Sequence, residues 1–151
     1  MDWICKKFDE LTLPELYEIL KLRCDVFVVE QNCVYPDLDN KDQPGYHFMG
    51  RENNRLVAYT RLAPKGISYP DFPSIGRVAT SPAARNQGAG RELMLRSIEK
   101  AKELFGNTPI KIGAQLYLKK FYASLGFVQT GDEYVEDGID HIAMILPADN
   151  S

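Results

Sequence analysis

Long apolar runs are missing from this 151-residue chain, and nothing in it approaches the length of a membrane span. The first residues, MDWICKKFDEL, lack the apolar centre of a secretory signal, so no leader is expected and no membrane partner. Cysteine is scarce: Cys5, Cys24 and Cys33 are odd in number and follow neither a C-x-x-C nor a metal-ligand spacing. Reduced thiols in a cytoplasmic setting and the absence of a metal site are the expectation. Basic charge is also short, with 18 Lys and Arg against 21 Asp and Glu, a net charge of -3 and a pI near 5.4. That balance disfavours nucleic acid as the partner. No repeat, low-complexity tract or linker-like run divides the sequence, so a single domain over residues 1–151 is expected.

A regular succession of elements is present. WICKKF reads as a strand, and Thr12-Leu13-Pro14-Glu15 is a capping box that opens a helix running to about Val28. Residues 30–45, EQNCVYPDLDNKDQPG, have no period and read as a long loop, a length more often found in binding loops than in filler. Two strands follow around an Asn53-Asn54 turn, then SIGRVAT, with Gly76 marking a bulge. A helix over residues 90–105 places Met94, Ile98, Ala101 and Phe105 on one face. The strand IKIGAQ, the short helix LYLKKFYASL and the strands FVQTGDEYV and IDHIAMIL around Glu136-Asp137-Gly138 complete the chain. The order β-α-β-β-β-α-β-α-β-β implies an α/β fold with a mixed sheet and helices on its faces.

The stretch RNQGAGREL, between the strand SIGRVAT and the long helix, needs its own explanation. A dinucleotide-binding fingerprint would have a third glycine at the position of Leu93, and a P-loop would have Lys and Ser or Thr after its last glycine. What remains is R-x-x-G-x-G at a helix N-terminus: Arg85, Gly88 and Gly90. The first amides of a helix have no internal partners and carry the positive end of its dipole. Glycines at 88 and 90 let a diphosphate reach those amides, and Arg85 and Arg91 can close on its other oxygens. An ordinary flexible turn explains the six residues alone equally well. Arg77, Arg85, Arg91 and Arg96 make this an anion-friendly neighbourhood in an acidic chain.

In this context R-x-x-G-x-G resembles the acetyl-coenzyme A signature of the GNAT N-acetyltransferases. LRCDVFVVEQNCVYPDLDNKD, GRVAT, AQLYLKKFYASLGF and EDGIDHIAM, spread from Leu22 to Met144, are similar to the ElaA-like subgroup. The resemblance implies the GNAT fold, a mostly antiparallel sheet of about seven strands that splays open after the fourth. It also implies acetyl-CoA as co-substrate. Arg77, Val78, Ala79 and Thr80 would hold the acetyl and pantetheine end, the amides of Asn86, Gln87, Gly88, Ala89, Gly90 and Arg91 the diphosphate, and Tyr117 and Lys119 the adenosine end. The amide near Val78 would face the thioester oxygen. Tyr122 matches the family's general acid, a phenol that can protonate the departing thiolate; its other reading is core packing.

The family's usual strand-four glutamate has no counterpart in SIGRVAT. Glu30, His47 and His141 are the candidates for the base; His141 is placed with Tyr122 in the catalytic set, although structural roles are open to both histidines. Glu30, His47 and Gln115 are expected at the substrate. Asp37, Asp39 and Asp42 in the long loop are expected either to attract a cationic amine or simply to be solvated. The implied activity is transfer of acetyl from acetyl-CoA to a small-molecule or peptide amine in a ternary complex. A non-catalytic acyl-CoA-binding module on the same fold is the alternative, and a homodimer is compatible with the sequence.

Overall fold

The computed structural model describes residues 1–149, apart from the side chain of Asn86. Strand β1 (Asp2–Lys7) leads to helix α1 (Leu13–Arg23), which begins as the sequence dictates. Thr12 Oγ1 accepts from the Glu15 amide at 3.2 Å, and the Thr12 amide donates to Glu15 Oε1 at 2.8 Å. Regular α-helix stops at Arg23, short of the expected Val28, and Cys24–Glu30 continue as a π-helical turn. Val26, Val28 and Val29 are β-branched and crowd a tight α turn, which favours the wider winding.

β2 (Tyr46–Glu52) and β3 (Arg55–Ala63) join through Asn53 and Asn54, both at positive φ, as a two-residue hairpin requires. β4 (Ser74–Thr80), α2 (Ala89–Phe105), β5 (Ile110–Gln115), α3 (Lys119–Ser124), β6 (Val128–Glu136) and β7 (Ile139–Leu146) follow. The last two strands turn through Asp137 and Gly138, again both at positive φ. The seven strands form two sheets, β1-β2-β3-β4 and β5-β7-β6, in which every registered pair is antiparallel. The α2 crossover brings β5 against the start of β4, where Lys111 N–H donates to the carbonyl of Pro73, just before β4, at 3.0 Å. Past that point each has a free edge facing the other, which is the expected splay.

β3 shows how the layers are filled. Ala58 and Leu62 pack under α2, and Thr60 between them meets Ser97 of α2 at 2.8 Å. Tyr59 points the other way, into a second cluster with Ile19, Leu22 and Val26 of α1 and the π turn. Period-two alternation therefore sends successive β3 residues to opposite helical layers, and both faces are covered.

The long loop is fastened beneath α1 by charge. Wholly buried Arg23 donates from Nη1 to Asp42 Oδ1 at 2.6 Å and from Nε to Asp37 Oδ2 at 2.8 Å. Arg61 of β3 donates to Asp42 Oδ1 and to both oxygens of Asp39, each at 2.8 Å. Arg77 of β4 closes the ring, with Nε 2.9 Å from Asp37 Oδ1 and Nη2 3.2 Å from Asp39 Oδ2. Three positive and three negative groups cancel, which is what makes their burial tolerable. His47, fully buried beside them, has Nε2 at 2.9 Å from the Asp42 carbonyl and Nδ1 at 2.6 Å from the Tyr59 hydroxyl. A carbonyl only accepts, so Nε2 carries the proton and Nδ1 accepts from Tyr59.

This ring sets the acid stability. Burial pushes the Asp39 carboxyl up, but hydrogen bonds from Arg61 and the charges of Arg61 and Arg77 outweigh it and hold Asp39 at about 2, below its ordinary 3.8. Burial likewise holds His47 below its ordinary 6.5, so it must stay neutral in the folded chain. Both depressed values mean that stability is present at neutral pH and lost on acidification. Thermal melting followed against pH is expected to decline as pH falls below 6.5 and more steeply from 3.8 toward 2. Asp39→Asn should lower the neutral-pH melting point and flatten the lower step; an unchanged lower step would remove Asp39 from the cause. Arg23→Met, which strands buried carboxylates, should cost about 3 kcal/mol in urea unfolding.

Candidate active site

A cleft of about 960 Å³ occupies the gap between the free edges of β4 and β5. One wall is the π turn and the long loop, another the bulged part of β4 with the start of α2, and a third the β5-β7-β6 sheet with α3.

The bulge lies in β4. Tyr59 of β3 pairs with Ala79 and Arg61 with Gly76, so two residues, Arg77 and Val78, stand opposite Thr60 alone. The sequence pointed to Gly76 as the irregular residue; instead Gly76 is paired and Arg77 takes φ +50. Val78 lines the cleft with no register partner in β3. The Arg77 guanidinium faces the acidic loop. Ala79 is buried against α1, while Thr80 reaches the cleft.

After β4, residues Pro82–Gln87 form a 3-10 turn, and Gly88 takes the left-handed conformation at φ +71 to start α2. Among the described residues the first α-helical bond is Glu92 N–H to Gly88 O at 3.2 Å, and the amides of Ala89, Gly90 and Arg91 have no helical partner among them. A Cβ on Gly88 or on Gly90 would meet nothing within 4 Å. The protein's own packing therefore does not require glycine at 90; open space beside unpaired amides is what a bound diphosphate needs. Gly90 lines the cleft, whereas Ala89 is buried and Gln87 and Arg91 are exposed outside it. Asn86 lies outside the described side chains. Arg91 donates to Ser124 Oγ at 3.1 Å, tying α2 to α3. Arg85 is already engaged: Nη1 and Nη2 grip Glu30, and Nη2 donates to the Thr80 carbonyl at 2.9 Å. Tyr117 is exposed at the cleft rim and Lys119 is exposed away from it.

On the opposite wall Tyr122 is buried between Phe121 and Phe127 and still lines the cleft. Among the described residues its hydroxyl has no hydrogen-bond partner. Burial, with a smaller contribution from Tyr117, pushes it up to about 12, so it keeps its proton at neutral pH.

His141 also lines the cleft. Its Nδ1 lies 2.7 Å from the Ile139 carbonyl and must donate, which leaves the lone pair on Nε2. Tyr134 stacks on the ring with centroids 5.7 Å apart, and Glu136 Oε2 lies 3.9 Å from Nε2. Gln115, opposite His141 in the β5–β7 ladder, donates to Gln31 at 3.4 Å across the cleft.

Two expectations are corrected. His47 has no exposure, both ring nitrogens are bonded, and it does not border the cleft, so it is a structural residue. Asp37, Asp39 and Asp42 are neither solvated nor available to a cation, because three arginines neutralise them. Tyr134, Tyr69 and Gly113 had not been anticipated. A side chain on Gly113 would collide with the Tyr134 hydroxyl and press on that of Tyr69, so the two tyrosines wall the β5 side. The turn held the signal: a two-residue loop at Asp137-Gly138 sets Tyr134 opposite His141.

Comparison with known proteins agrees with this geometry. A family model described as Acetyltransferase (GNAT) domain matches residues 22–147. A UPF0039 protein of Synechocystis is 43% identical over 97% of this chain and 95% of its own length. Protein ElaA of Escherichia coli is 41% identical over 95% of each chain. An acyl-CoA N-acyltransferase from Pseudomonas aeruginosa, a solved structure, superposes with a TM-score of 0.88 at 41% identity, covering 96% of this chain and 99% of that one. Acyl-homoserine lactone synthases are more distant; the synthase LasI, at 13% identity and a TM-score of 0.78, shares the fold alone. No helix of the described residues is long and apolar enough to cross a membrane, and no metal-binding group occurs among them.

Gly90→Val places a branched side chain in the open space next to the unpaired amides. The variant is expected to melt close to the wild type and to lose calorimetric binding of acetyl-CoA; undiminished affinity would remove the helix terminus from the site.

Proposed function

The chain belongs to the GNAT acetyltransferase family as an ElaA-like acyltransferase, and we propose that it moves the acetyl group of acetyl-CoA to a primary amine. The observation that carries this reading is that the unpaired amides of α2, the bulge at Val78 and the Tyr122 hydroxyl border one gap in the sheet. A diphosphate, a thioester and a leaving thiolate need these three groups in this order.

In this reading the Ala89, Gly90 and Arg91 amides hold the diphosphate at the positive end of α2. The free edge of β4 along Val78 and Thr80 pairs with the amide groups of the pantetheine arm. Acetyl-CoA supplies an activated acyl group. The Val78 N–H receives the negative charge that grows on the thioester oxygen as the amine attacks. Tyr122, protonated at neutral pH, donates its proton to the leaving sulfur. His141 offers Nε2 to the proton that the amine must lose, held in that tautomer by the Ile139 carbonyl. Attack is direct, with no acyl-enzyme, and among the described residues no cysteine or serine of the cleft is hydrogen-bonded to a side-chain base, which is compatible with this. Cys33 lies there, but its thiol is donated to the Asp137 carbonyl at 3.0 Å. A cytoplasmic setting goes with the three free cysteines.

Tyr122→Phe should lower kcat by about 10²- to 10⁴-fold, the usual range for losing a positioned acid, while acetyl-CoA affinity stays within error. Wild-type turnover would exclude Tyr122 from the chemistry. His141→Ala should lower kcat/KM by about 10²- to 10⁴-fold, as loss of a positioned base does; undiminished turnover would make the histidine structural.

A further inference from the structure

Arg77 has an unusual backbone. Among the described residues other than glycine, six have positive φ, and the other five are Asn or Asp, all in turns or irregular segments. Asn and Asp tolerate the left-handed region; arginine does not, and Arg77 adopts it inside a strand. Something outside its own preference holds it there.

The bulge has a visible consequence. Ile75 packs under α2, yet Ala79, four residues on, packs with Tyr59 on the α1 side. In a regular strand these two would share a face. The extra residue swaps the faces and turns the Arg77 side chain toward the acidic loop. There the loop grips it through three contacts. Asp37 Oδ1 lies 2.9 Å from Nε and Asp39 Oδ2 3.2 Å from Nη2, while the Asp37 carbonyl accepts from Nη2 at 2.9 Å. Asp37 and Asp39 are themselves fixed by Arg23 and Arg61, both buried. Arg77 Nε is fully buried and, despite its nearness to Asp37, has no in-line hydrogen bond, a compromise expected of a side chain held from several directions.

We propose that Asp37 and Asp39 are positioning residues for acetyl transfer. By gripping the Arg77 guanidinium they hold its φ and ψ in the left-handed region. Those two angles orient the peptide plane that carries the Val78 N–H toward the thioester oxygen. The loop that looked like a charged lure for the amine thus acts on the acyl side. This rests on the reading of Val78 as the oxyanion donor.

Replacing Arg77 by alanine or by glycine removes the same guanidinium and the same ion pairs. The two differ in what φ +50 costs them, since glycine adopts it freely and alanine does not. Calorimetric titration with acetyl-CoA is expected to give Arg77→Ala an affinity about 5- to 30-fold below that of Arg77→Gly, the penalty of re-forming a left-handed residue on binding. Arg77→Gly should also melt above Arg77→Ala, which reads the strain without ligand. Equal affinities in the two variants would overturn the proposal, because loss of the guanidinium would then be the whole effect. If Arg77→Ala does not fold, Asp39→Asn is compared with Asp39→Asn/Arg77→Gly: tighter binding in the double variant supports the clasp, and no gain overturns it. A wild-type chain that does not bind acetyl-CoA would fail the functional reading itself, and the positioning role with it; the melting order would then stand only as a fact about the bulge.

Discussion

Three arginines and three aspartates, alternating around a closed ring, tie the long loop to α1, β3 and β4. Arg23 ends α1, Arg61 sits in the middle of β3, Arg77 lies in the bulge of β4, and the aspartates lie within six residues of the long loop. Removing any one of the six leaves an uncompensated charge in this buried network, which costs about 3–5 kcal/mol for a broken pair. The wall of the cleft formed by the long loop depends on it, and so, in the proposed arrangement, does the conformation of β4 at its bulge. Apolar packing alone would have left the loop free: Val34 and Leu38 on it are 89% and 62% exposed.

The division of labour between the two sheets follows from the gap. β3, covered on both faces, is the rigid centre from which the ring and the α2 contact are built. β4 gives up regular pairing on one side to the bulge and on the other to the splay, so its backbone groups are left for a ligand. The β5-β7-β6 side carries the two groups proposed to handle protons: His141 on β7, and Tyr122 on the helix that follows β5. Each is set in an apolar or stacked environment, with Phe121 and Phe127 around the tyrosine and Tyr134 on the histidine. Such surroundings keep Tyr122 protonated and hold the ring of His141, and a fixed donor and acceptor on one wall of the cleft suit the proposed reaction, which must move one proton each way.

Much of this was legible in the sequence where the signal is local. Thr12 and Glu15 three residues apart give the start of α1, Asn53-Asn54 and Asp137-Gly138 give two hairpins, and the spacing of Met94, Ile98 and Ala101 gives the buried face of α2. Gly88 and Gly90 pointed to the helix terminus because side-chain absence is itself a local mark. The ring was not legible, since its partners lie between 14 and 40 residues apart and exposed acidic runs look the same. The bulge was misplaced by one residue for a related reason. Glycine is the natural choice for an irregular backbone, and an arginine can take its place only because distant carboxylates hold it. His47 looked like a candidate base; only its position beneath the ring shows that both nitrogens are spent.

The most direct measurement is a crystal structure with acetyl-CoA bound. The account predicts the thioester oxygen about 3 Å from the Val78 amide, the diphosphate on the amides of Ala89 to Arg91, and the sulfur beside the Tyr122 hydroxyl, with Arg77 still held by Asp37 and Asp39. A co-substrate lying elsewhere with the gap between β4 and β5 empty, or bound there with the bulge ironed into a regular strand, would contradict it.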